Sequence, residues 1–114
     1  MFFLYNQNNS GGNFHEDEAA GIGPYVIVEA NDANHADSRA VNIGIYFHGC
    51  STGQDCDCCG DRWSQSYGTG DAVPSIYGEP AENMEKGWYR SYAFVHYLNG
   101  EIKKIEFKEK SNGK

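Results

Sequence analysis

The sequence predicts a small α+β domain: an antiparallel sheet with one packed helix, a long cysteine-containing loop and a C-terminal β-hairpin. Three stretches carry that expectation. "YVIVEA" (25–30) is a β-branched run with apolar residues on both faces, which places a strand at the centre of a sheet. "NDANHADSRAVNIG" (31–44) repeats Ala33, Ala36, Ala40 and Ile43 at helical spacing. "YAFVHYL" and "EIKKIEF" flank Asn99-Gly100, a pair that suits a type I′ turn because both central residues of that turn need positive φ.

In chain order, "FFLYNQ" reads as a first strand, ended by the turn-forming cluster "NNSGGNF". The helix has Asn31 or Asp32 to cap its start and Gly44 to end it, and its alanines allow close packing on a sheet. "IYF" (45–47) predicts one more buried strand. From His48 to Met84 the chain is rich in Gly, Ser, Asp, Thr and Pro. A compact domain rarely holds so much irregular chain unless a metal, a ligand or a partner fixes it. With 114 residues there is material for one core, so residues 1–110 are expected to form a single domain and 111–114 a flexible tail.

Charge narrows the function. Sixteen acidic against nine basic residues give a net charge of −7. Up to Glu85 only Arg39 and Arg62 are cationic, while Lys103, Lys104, Lys108, Lys110 and Lys114 crowd the end. Most of such a surface repels a phosphate backbone, so duplex nucleic acid is not an expected partner. "MFFLYNQNNSGG" has neither a basic n-region nor a long apolar core, so no signal peptide, membrane span or membrane partner is expected and the location is read as cytoplasmic.

Cysteines in a reducing cytosol are free or metal-bound more often than paired. Cys56, Cys59 and Gly60 fit the Cys-x-x-Cys-Gly half-site of zinc, whose tight turn aims backbone amides at the thiolates. Cys50, Cys58 and His48 are candidates for the remaining ligands, and Cys50, Cys56, Cys58 and Cys59 form the expected Zn2+ set. Adjacent Cys58 and Cys59 on one ion would be strained. The competing reading is a tight turn whose thiols fill core gaps. A redox role is disfavoured, because Asp55, Asp57 and Asp61 raise thiol pKa values rather than lower them.

The run "DCDCCGDRW" (55–63), with "NNSGG" before it, resembles a family of short, uncharacterised bacteriophage proteins that carry a similar Asp-Cys-x-Cys-Cys-Gly-Asp-Arg-Trp motif. The likeness covers about the first two thirds of the chain and implies a phage source. It names no mechanism.

Within that run, the Arg62 guanidinium suits phosphate or carboxylate oxygens, and Trp63 offers a flat face for a base. Asn8, Asn9, Ser10, Gly11 and Gly12 can form a nest of amides around an anion. The expected ligand-binding set is therefore Asn8 to Gly12 with Asp61, Arg62 and Trp63. The competing reading pairs Arg62 with Asp57, Asp61 or Glu29 and puts Trp63 in the core. His15, His35, His48 and His96 are scattered, and no HExxH, Gly-x-Ser-x-Gly or P-loop occurs, so no catalytic role is expected. "HEDE" (15–18) reads as a solvated charge run before a cation site.

Two functions follow. The first is a phage-type binding protein, a homo-oligomer in the cytoplasm of an infected bacterium, that sequesters a small nucleotide-derived immune signal. The second is a zinc-stabilised acidic module that inhibits a host protein. Arg62 and Trp63 facing an open pocket would favour the first. Arg62 tied to carboxylates with Trp63 buried would favour the second.

Overall fold

The computed structural model describes residues 1–8, 15–55, 60–86 and 91–109. Strand β1 (Phe2–Asn6) alternates buried and half-buried residues, with Phe3 and Tyr5 on one face and Phe2 and Leu4 on the other. Strand β2 (Tyr25–Glu29) is buried at its first four positions, as a central strand with two covered faces should be. Together with β5 (Tyr92–His96) and β6 (Ile102–Glu106) they make a four-stranded sheet in the order β1-β2-β5-β6. The α+β class and the terminal hairpin stand as expected. The sheet is mixed, not wholly antiparallel: β2 pairs with β5 in parallel, which requires a long crossover that carries the main helix.

Helix α1 (Ala33–Ile43) has the predicted ends. Asp32 accepts from the His35 amide at 2.8 Å, and the Gly44 N–H reaches back to Ala40 O at 3.2 Å. Ala36 and Ala40 are fully buried against the sheet. On the same helix, Arg39 donates to Glu29 O at 2.6 Å and to Tyr97 O at 3.0 Å, joining the ends of β2 and β5. "IYF" is not a strand. The Ile45 amide is bound to Ala40 O at 3.0 Å, so it is unavailable to a ladder, and Ile45, Tyr46 and Phe47 pack on the core as the chain leaves the helix.

The hairpin between β5 and β6 differs from the expected turn. Tyr97 N bonds to Glu101 O at 2.8 Å and Gly100 N to Tyr97 O at 2.9 Å, leaving a three-residue loop in which Gly100 is at φ 94 and Asn99 keeps negative φ. The two-residue turn with both central residues at positive φ lies elsewhere, at Tyr77 (φ 52) and Gly78 (φ 86), between β3 (Ser75–Ile76) and β4 (Glu79–Pro80). That hairpin and the 3-10 turn Ala81–Asn83 cover one face of the sheet, where Ile76 and Ala81 meet Ile27, Val95 and Phe107.

The other face is covered by α1 and, over β5 and β6, by residues 15–24. "HEDE" is engaged there: Glu16 accepts from Tyr92 Oη at 2.6 Å and Glu18 from Lys104 Nζ at 2.7 Å. Beneath this strap His96 is 4% exposed, and its Nε2 lies 2.8 Å from Gly21 O. Burial holds the His96 pKa below its ordinary value, with the Arg39 charge adding to the effect against the Gly21 carbonyl. The unfolded chain therefore binds a proton on His96 more readily than the folded one. This contribution to stability is present above about pH 6.5, the ordinary histidine value, and is lost as pH falls below it. Melting temperature is expected to drop between pH 7.5 and 5.5, with a shallower slope in His96→Gln; an unchanged slope in that variant would remove His96 from the account.

The long middle of the chain is less irregular than expected. It contains α2 (Gly49–Thr52), β3, β4 and the 3-10 turn, and its described parts are fixed by contacts within the chain. Asp37 on α1 accepts through one oxygen, Oδ1, from Tyr5 Oη at 2.6 Å and from Ser66 N and Oγ at 2.9 Å each. Asp55 accepts from Tyr46 Oη at 2.9 Å and from Arg62 N at 2.8 Å. Gly49 lets this carboxylate approach, since a Cβ there would fall 1.8 Å from Asp55 Oδ2. Among the described residues no helix is long and apolar enough to cross a membrane.

Candidate functional site

Trp63 is 1% exposed and packs in the cluster that holds Phe3, Tyr5, Val26 and Ile45. Of the two readings of the sequence, this is the one that puts Trp63 in the core. An indole gains more by removing its large apolar area from water than by lining an open turn, and here it joins the sheet-and-helix core. Its Nε1–H has no hydrogen-bond partner among the described residues.

Arg62 is half-buried beside it. Its Nη1 donates to Gln7 Oε1 at 3.1 Å, while its backbone O accepts from Asn8 N at 2.8 Å. Gln7 is itself buried and donates to His15 O at 2.7 Å and to Gly23 O at 2.6 Å. Asn8 also donates through Nδ2 to Asp61 O at 3.3 Å, and Asp61 Oδ1 accepts from Cys50 N at 2.9 Å. The Cys50 hydrogen bonds, with a smaller contribution from the His48 charge, hold the Asp61 carboxyl below its usual value. Burial raises the Tyr46 phenol, Asp55 adds to that, and Arg62 opposes it. Asn8, Asp61 and Arg62 thus come together as ties between the exit of β1 and the 60–63 segment. Asn9, Ser10, Gly11 and Gly12, with Cys56, Cys58 and Cys59, lie outside the described residues, as do residues 111–114. Cys50 is half-buried, and among the described residues no group of three or more His, Cys, Asp or Glu side chains could hold a metal ion.

A groove of about 510 Å3 lies between the outer edge of β1 and the 64–71 segment. Leu4, Asn6, Tyr67, Asp71 and Tyr77 are among its lining residues. Tyr67 is 89% exposed and Tyr77 74%, so both rings stand open to solvent at the groove. Asn6 Nδ2 donates to Tyr77 Oη across it. Aspartates set the groove's wall: Asp37 holds Ser66, and the Asp71 backbone exchanges hydrogen bonds of 2.7 and 2.8 Å with Phe2. The sequence reading missed Tyr67 and Tyr77. The available signal was the Tyr-Gly pair at each position, an aromatic placed against a turn residue where packing makes little use of it.

Fold and groove together define a small α+β domain with a mixed sheet and an aromatic-rimmed cleft along its edge strand. The chain belongs to the family described as "Domain of unknown function (DUF7296)", whose model matches residues 1–113. That span extends past the first two thirds of the chain to include the terminal hairpin. No curated protein and no solved structure matches it.

Proposed function

We propose that the protein is a non-catalytic binding module that captures a small nucleotide-derived signalling molecule, and that the groove beside β1 is where it does so. The observation that carries this reading is a concave site of about 510 Å3, within the usual range for small-molecule pockets, rimmed by two solvent-exposed tyrosine rings. Arg62 and Asn8 serve this site by fixing the chain on either side of it. A bacteriophage source, action in the cytoplasm of the infected host, blunting of a host defence signal and assembly as a homo-oligomer belong to the same proposal and rest on the motif resemblance. A panel of cyclic nucleotides and ADP-ribose derivatives is expected to contain a member that raises the melting temperature, because a ligand that binds only the native state stabilises it by mass action. The ligand should be recovered intact after heating. Recovery of a cleaved product would make the protein an enzyme, and no shift with any member would count against capture.

Burial of Trp63 favours a second reading, an acidic interaction module for a host protein stabilised by Zn2+ on Cys50, Cys56, Cys58 and Cys59. Metal analysis separates the two. The second reading expects about one zinc per chain or per pair of chains, and a metal-stripped protein that melts lower.

A further inference from the structure

We propose that the groove reads the donor–acceptor edge of a nucleobase through the main chain of Leu4, with the Tyr77 ring as stacking face and any phosphate left outside. This rests on the capture reading above and names its ligand class.

The edge of β1 supplies the first part of the argument. Met1 N donates to Ala30 O at 3.0 Å and Ala30 N to Met1 O at 2.8 Å, so these two residues form a hydrogen-bonded pair of the ladder with β2. In an antiparallel pair such positions alternate, which turns the main-chain groups of Phe3 and Tyr5 toward β2 and those of Phe2, Leu4 and Asn6 outward. Phe2 is satisfied by its exchange with Asp71. Two residues on, Leu4 lines the groove, and among the described residues none bridges its outward edge as Asp71 does that of Phe2. One N–H and one C=O lie side by side there. That pattern complements a fixed, coplanar donor and acceptor side by side, which purine and pyrimidine edges carry and alkyl chains do not.

Tyr77 supplies the second part. It occupies the first central position of a two-residue turn at φ 52, a conformation suited to Gly, Asn or Asp and costly for a bulky side chain. At 74% exposure the ring returns little packing for that strain, and its hydroxyl is held toward β1 by Asn6. Strain kept at an exposed aromatic points to a role in binding. The third part is charge: the described lining includes Asp71 and no lysine or arginine, so no side-chain cation there offsets the charge of a phosphate.

Isothermal titration of the full chain with adenosine, guanosine, cytidine and uridine, their 5′-monophosphates, and the edge-blocked N6,N6-dimethyladenosine and 1-methylguanosine tests this. At least one nucleoside is expected to bind within about threefold of its monophosphate, and its edge-blocked form about tenfold or more weakly. Tyr77→Asn, which suits the turn, should keep or raise the melting temperature and weaken binding about tenfold or more. Binding of a nucleotide without its nucleoside, equal binding of the blocked base, or undiminished binding by Tyr77→Asn overturns the assignment and leaves capture standing. Silence from these nucleosides and from the cyclic nucleotide and ADP-ribose panel alike overturns both.

Discussion

Trp63→Ala is expected to destabilise the protein by about 3–5 kcal/mol, the usual cost of emptying a large aromatic site in a core. For a chain of this length that corresponds to a fall of roughly 12–20 °C in melting temperature. The expectation follows from position: the indole is 1% exposed and contributes to the cluster that joins Phe3 and Tyr5 of β1, Val26 and Val28 of β2, and Ala36 and Ala40 of α1. Trp63→Phe should cost much less, because it keeps a ring in the site and removes an indole N–H that has no partner among the described residues. Chemical denaturation of the two variants checks the pair. A small loss in Trp63→Ala with abolished ligand binding would return the indole to a recognition role.

Asp37→Ala is expected to cost about 2–4 kcal/mol, since hydrogen bonds to a charged group contribute roughly 1.5–3 kcal/mol each and those sharing one acceptor are not additive. Three donors converge on its Oδ1. Removing it leaves the Tyr5 hydroxyl, in a residue 1% exposed, with only Ser66 Oγ at 3.2 Å. Burial, and then Asp37, push the Tyr5 phenol far above its ordinary pKa, so it remains a protonated donor and cannot relieve the loss by ionising. The damage should be local as well as global. Ser66 lines the groove, so its amide is expected to exchange faster in the variant and ligand affinity to fall, while Asp37→Asn retains an acceptor and loses less. Hydrogen exchange at Ser66 reads this directly; unchanged protection there would show that Asp37 does not hold the wall.

What was legible in the sequence was what local chemistry decides. Asp32 and Gly44 marked both ends of α1 because a side-chain cap and a positive-φ residue act within one turn of the helix. The hairpin around Asn99-Gly100 was visible, but its turn type was not. The Tyr97–Glu101 hydrogen bond sets a three-residue loop, and that register is fixed by β5 and β6 along their length. The parallel pairing of β2 with β5 joins segments far apart in the chain and leaves no local mark. For "DCDCCGDRW" both fates of Trp63 were readable from composition, and tertiary packing chose the core. The groove was hidden for a related reason: Leu4 faces outward only through the register of β1 on β2, and its wall depends on Asp37 and Asp71 reaching β1 from other parts of the chain.

Entry of ligand beside β1 is open to amide chemical-shift mapping during a nucleoside titration. The Leu4 amide is expected to shift strongly on saturation, with the amides of Asn6 and Tyr77 moving alongside it. Shifts centred on Cys50, Asp61 and Arg62, with Leu4 unmoved, would contradict it.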